Sequence, residues 1–137
     1  MPLDEAKAAD TRAWLSKAQT DIRNAEHALD APDPFLEDTA FHCQQAVEKA
    51  LKALLTWHDV PFRRTHSIEE IGRQCVQIDF SLEPLVDQAA PLTEYAWQFR
   101  YPGDPVSPAE SEAEQALEQA RSIYDAVIER LPEEVRL

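Results

Sequence analysis

The stretch FHCQQAVEKALKALL, residues 41 to 55, gathers an aromatic ring, two amides, an imidazole and two ammonium groups on one helical segment. Stepping 100 degrees per residue puts Ala40, Cys43, Val47, Ala50, Leu51 and Leu54 on one side, while Phe41, His42, Gln44, Gln45, Glu48, Lys49 and Lys52 fall on the other. An aromatic exposed among amides and cations has the make-up of a ligand or partner surface; the plain alternative is a solvated helix face. Further candidates are His66 in THSIEE, and Arg100, Tyr101 and Asp104 in RYPGDPVSP. If Lys49, Lys52 and Arg100 converged they would hold a phosphate, with Tyr101 or Phe41 stacking a base. The duller reading pairs Arg100 with Asp104, gives His66 a turn hydrogen bond, and puts Trp97 and Tyr101 in the core or an interface.

Other chemistries lack their residues. His27, His42, His58 and His66 form no HExxH or other zinc spacing, so no metal is expected. Only Gly72 and Gly103 occur, which rules out a glycine-rich phosphate loop and a Gly-x-Ser-x-Gly elbow, and no cofactor is expected. Cys43 and Cys75 stand apart without a CxxC and read as reduced thiols. Thirteen basic against 26 acidic side chains give a net charge of −13, which repels a polyanion at long range. The charge is uneven: residues 1–40 carry −5, residues 41–73 carry +1 through Lys49, Lys52, Arg63, Arg64 and Arg73, and residues 74–137 carry −9. The acidic start MPLDEAKAAD has no apolar signal core and no run is long enough to span a bilayer, so a cytoplasmic chain without membrane contact is expected.

The elements that must position these residues are helices. Ten prolines punctuate Ala/Leu/Glu/Gln-rich runs, and strand-like alternation is nearly absent. Asp10 can cap a first helix over 11–30, with Leu15, Ala18, Ile22, Ala25 and Leu29 as its buried stripe. A second runs over 35–58. Ser67 and Glu70 form a capping box for a short third, 67–78. A fourth, 82–99, should kink or split at Pro91, which lacks the N–H that a helix needs. Ser107, Pro108 and Glu110 open the last, 108–131, whose apolar residues from Ala113 to Ile128 fall within an arc of about 140 degrees. The expectation is all-α: a single domain over 1–137, built as an antiparallel up-and-down bundle of four to five helices.

With these segments in order, AFHCQQAVEKALKALL, then THSIEEI, then EYAWQFRYPGD and a long final helix, the chain resembles the HEPN domain family over about residues 10–130. The resemblance implies a homodimeric helical bundle, and either of two roles. One is a module that binds a nucleotide or pairs with a minimal nucleotidyltransferase in a toxin–antitoxin-like system; its surface would be Phe41, Gln45, Lys49 and Lys52. The other is a metal-independent endoribonuclease, in which an arginine, four to six variable residues and a histidine act on RNA across the dimer. Arg100 matches the arginine, but the histidine positions hold Pro105, Val106 and Ser107. Imidazole titrates near neutrality and a carboxyl does not, so standard ribonuclease activity is not expected. A divergent enzyme would need Tyr101, Asp104 or His66 as the substitute.

Overall fold

In the computed structural model, residues 2–99, 101–103 and 107–137 are described. Helix α1 spans Glu5–Asp30. It starts at Asp4, whose carboxylate accepts from the Lys7 N–H at 3.0 Å, and not at Asp10, which lies exposed within the helix. Both aspartates are suitable caps, but the strong helix formers between them let the helix extend to the earlier one and bury Ala8. Helix α2, Leu36–Trp57, is the centre of the molecule, with 13 of its 22 residues buried. It ends where Asp59 turns left-handed at φ 57° and the Val60 N–H reaches back to the Leu55 carbonyl; Pro61 then prevents continuation.

Helix α3, Ile68–Ile78, opens on Ser67, whose hydroxyl accepts from the Glu70 N–H. Only half of the expected capping box forms: the Glu70 carboxylate takes two nitrogens of Arg63, and the Ser67 N–H donates to Thr65 Oγ1 instead. A 3₁₀ turn, Phe80–Leu82, leads into helix α4, Glu83–Ala89, and the chain tightens to 3₁₀ over Ala90–Ala96. The split falls one residue before Pro91, as a missing N–H requires. Helix α5, Glu110–Glu129, begins two positions later than Pro108. Ser107 is used elsewhere, donating to Glu37, and the first turn is closed by Glu112 accepting from the Ala109 N–H at 3.0 Å.

Long-range tethers fix the helix directions. Lys7 to Asp59 joins the start of α1 to the end of α2, and Arg121 to Glu26 with Arg12 to the Glu134 carbonyl runs α5 against α1. Leu15, Leu51, Leu54, Leu55, Ile68, Ile71, Val86, Ile123 and Val127 form one continuous core. The architecture is the expected antiparallel all-α bundle, and no strand occurs among the described residues. No helix there is long and apolar enough to cross a membrane. Cys43 and Cys75 are buried free thiols, each pushed up to about 12 by burial, which makes them packing groups.

Helices α3 and α4 approach closely because position 72 has no side chain. A Cβ there would sit 2.5 Å from Val86 Cγ1, a stiff β-branched group that cannot swing aside. Gly72→Ala is expected to cost about 1–2 kcal/mol net, since overpacking outweighs the roughly 1 kcal/mol of helix propensity that alanine adds. Urea denaturation checks it, with Gly72→Ala/Val86→Ala expected to be more stable than Val86→Ala alone.

Candidate functional site

Asp21 is an acid on the apolar stripe of α1, between Ala18 and Ala25, and only 6% of it is exposed. Its two oxygens are both engaged from α2: Oδ1 lies 2.8 Å from His42 Nδ1, and Oδ2 accepts from Lys49 Nζ at 2.7 Å. A carboxylate accepts and does not donate, so Nδ1 carries a proton, and in the neutral imidazole Nε2 is then the acceptor on the opposite edge. His42 lines a pocket of about 370 Å³ together with Glu37, Asp38, Phe41, Gln98 and Phe99. The Phe41 ring meets the imidazole edge-on, with centroids 5.3 Å apart. Phe99 is held at φ 66°, a left-handed conformation that a bulky residue adopts at a cost of about 1–3 kcal/mol, and its ring packs 5.9 Å from Tyr95. Strained backbone of this kind gathers at functional sites.

The rest of the polar side of α2 is inside the protein. Glu48 is 4% exposed and Lys52 is 7% exposed. Glu48 accepts from Lys52 at 2.9 Å and from Gln44 at 3.1 Å, and lies 2.8 Å from His66 Nδ1. Gln44 also donates to the His66 carbonyl, so this cluster ties α2 to the connection before α3. The Lys52 ammonium lies over the rings of Trp14 and Phe62, 5.4 and 5.6 Å from their centroids. Burial works to raise the Glu48 carboxyl, but hydrogen bonds from Lys52, His66 and Gln44 together hold it below its ordinary value.

These positions redraw the candidate surface. The face expected to be exposed is not: Lys52 is buried, and Phe41, Gln45 and Lys49 are half-buried. The physical reason is that α1 and the connection from Pro61 to Ser67 cover that side, supplying Asp21, Trp14, Phe62 and His66 as partners for its polar groups. His66 meets Glu48 across the fold, beyond the local turn bond expected of it, and does not line the Phe41 pocket. Gln45 donates to Gln44 at 2.6 Å. Tyr101 and Trp97 are exposed, 67% and 52%, and are not core. Arg100 and Asp104 lie outside the described residues. Four of the five local cations are engaged as well: Lys49, Lys52, Arg63 and Arg73 each pair with carboxylates, while Arg64 is exposed. Asp21 and His42 were not among the expected site residues. The signal was there, because a lone aspartate at i+3 and i−4 from buried alanines must find a partner inside.

The HEPN domain profile matches residues 11–131 of the chain. The chain belongs to the HEPN domain family. This HEPN protein is 29% identical, over 90% of its own length and 93% of the other's, to the candidate toxin MJ1304 of Methanocaldococcus jannaschii. Among solved structures, it resembles the crystal structure of ST0689, described as an archaeal HEPN homologue. That similarity has a TM-score of 0.68 at 24% identity, covers 88% of this chain and 96% of the other, and concerns the fold. The HEPN profile takes in both sides of the pocket, the start of α2 and the Gln98–Phe99 segment, and also Asp21 behind His42.

Proposed function

We propose that this HEPN protein is one member of a toxin–antitoxin-like pair, that its pocket beside α2 takes a nucleotide base, and that its partner is a minimal nucleotidyltransferase. The observation that carries the ligand reading is the convergence of Phe41, Phe99, Gln98 and a carboxylate-held His42 on one pocket. Aromatic faces stack bases of any identity, and the amide and imidazole can meet a base edge. The similarity to a candidate toxin supports the paired role. The lack of a histidine at residues 105–107 supports a role apart from the standard arginine–histidine ribonuclease. A homodimer belongs to this reading, with the exposed Trp97 and Tyr101 as rings that pairing would cover.

Calorimetric titration with the four ribonucleoside monophosphates tests the ligand reading. Binding at millimolar concentration or tighter is expected for at least one. Phe41→Ala should weaken it about ten-fold or more, the usual loss when a base loses its stacking partner. No heat for any of the four at millimolar concentration would overturn the nucleotide assignment and leave the protein partner as the ligand of this face.

A further inference from the structure

We propose that the pocket beside α2 is selective for guanine, and that Asp38 is the residue that reads it. The inference rests on the nucleotide-binding reading above and deepens it by naming the base. Stacking on rings alone accepts all four bases, so selectivity has to come from the polar groups that line the pocket. Those groups are mostly acceptors. Glu37 and Asp38 bring carboxylates, and the neutral His42 ring, held by Asp21 through Nδ1, presents Nε2. Among the described residues that line the pocket, Gln98 is then the side chain with N–H groups to offer.

The order of donors and acceptors decides between the bases. On its pairing edge guanine carries two adjacent donors, N1–H and the N2 amino group, beside one acceptor, O6. A carboxylate takes the two donors as a fork, and an amide N–H meets O6. Adenine and cytosine each place a bare ring nitrogen beside the amino group, and uracil flanks its single N–H with two carbonyls, so each sets a lone pair against the carboxylate. Asp38 is placed for this role. It precedes His42 by one helical turn and Phe41 by three residues on α2, which puts its Cβ about 5–6 Å from theirs, the reach of a base edge. It is exposed, and Glu37 beside it already accepts from the Ser107 hydroxyl with one oxygen, so Asp38 is the better placed of the two to offer both oxygens. The same two carboxylates repel a phosphate, so the contacts that hold a ligand here are to its base.

Calorimetric titration of the full chain with GMP, AMP, CMP and UMP, repeated on Asp38→Asn, tests it. Wild type is expected to bind GMP about ten-fold or more tightly than each of the others, the margin that one bidentate contact to a base supplies. A smaller margin, or a preference for another base, overturns the proposal and spares the nucleotide reading, because binding persists. No binding of any of the four overturns both. The variant separates recognition from charge. Removing a negative charge from the pocket should, by electrostatics alone, tighten every nucleotide. Recognition predicts the opposite for one of them: asparagine offers one acceptor and one donor, the complement of adenine, so GMP should weaken about ten-fold or more while AMP holds or gains. GMP binding that is unchanged or tighter in Asp38→Asn overturns the proposal. Glu118→Gln, the same loss of charge at an exposed position of α5, should keep the wild-type margin, and an equal fall there would make the effect one of general charge and overturn it too. Both substitutions are at exposed positions and leave the fold intact. Guanosine is expected to bind within about ten-fold of GMP; a larger loss would put the main contacts on the phosphate and overturn the assignment.

Discussion

Replacing Glu48 with alanine is expected to lower stability by about 3–5 kcal/mol, because it leaves the Lys52 ammonium buried without its counter-ion. Coulomb attraction alone does not set this magnitude. Lys52 Nζ has Glu48 Oε2 at 2.9 Å, and its other neighbours are the faces of Trp14 and Phe62, which attract a cation but accept no conventional hydrogen bond. The same substitution strips Gln44 Nε2 and His66 Nδ1 of an acceptor. The midpoint of thermal unfolding should fall by roughly 10–17 °C for a domain of this size. In Glu48→Ala/Lys52→Met, with both charges gone, most of the loss should return; a single-variant loss below about 1 kcal/mol would mean that water reaches Lys52. The pH dependence has a definite sign. Burial raises the folded Glu48 carboxyl, but hydrogen bonds from Lys52, His66 and Gln44 outweigh it and hold the group below the ordinary glutamate range, so its contribution is complete above the unfolded pKa and is lost as pH falls through the folded one. Acid denaturation of wild type should therefore run into a milder form of the Glu48→Ala defect, and the variant's own stability should vary less over that acid range.

Much of the fold was readable because periodicity and punctuation agreed. The α2 stripe of Cys43, Val47, Ala50, Leu51 and Leu54 is buried as its spacing requires, and Pro91 ends regular α-helix where its missing N–H must. Cap positions were less secure: Asp4 and Asp10 are equally good residues, and the longer α1 is favoured by contacts distant in sequence, the burial of Ala8 against the bundle and the Lys7–Asp59 pair. The site was less legible for a different reason. Helical projection correctly grouped Gln44, Glu48 and Lys52 on one side, but whether a polar side faces water depends on what packs over it. Here the cover comes from α1 and the connection before α3, which lie 18 to 28 residues away in the pairs His66–Glu48 and Lys49–Asp21. A polar face buried by distant chain looks like a solvated one in sequence. The clue that separates them is complementary: Asp21 breaks an apolar stripe on α1, and an acid in that position calls for a cation or imidazole from a neighbouring helix.

Leu51→Ala should cost about 3 kcal/mol, within the 2–5 kcal/mol range for deleting a buried leucine. The residue is fully buried on the helix that contacts α1, α3 and α5, and its carbonyl also accepts from Cys75 Sγ of α3 at 3.5 Å. Two contributions add: apolar surface returns to water in the unfolded comparison, and a cavity opens that helices tied from several sides cannot collapse to fill. The α1 tethers through Asp21 and Asp59 and the α3 tether through Glu48 limit that relaxation, so the cost should not fall near the lower bound. Phe80 is the matched control, since it is larger and more apolar by volume yet 72% exposed at the turn before α4. Phe80→Ala should stay within about 0.5 kcal/mol of wild type. Urea denaturation with unchanged m-values would read both as true stability changes. If the two variants cost the same, α2 would not be the mechanical centre of the bundle, and the pinning of His42 and Lys49 against Asp21 would have to come from contacts outside the leucine layer.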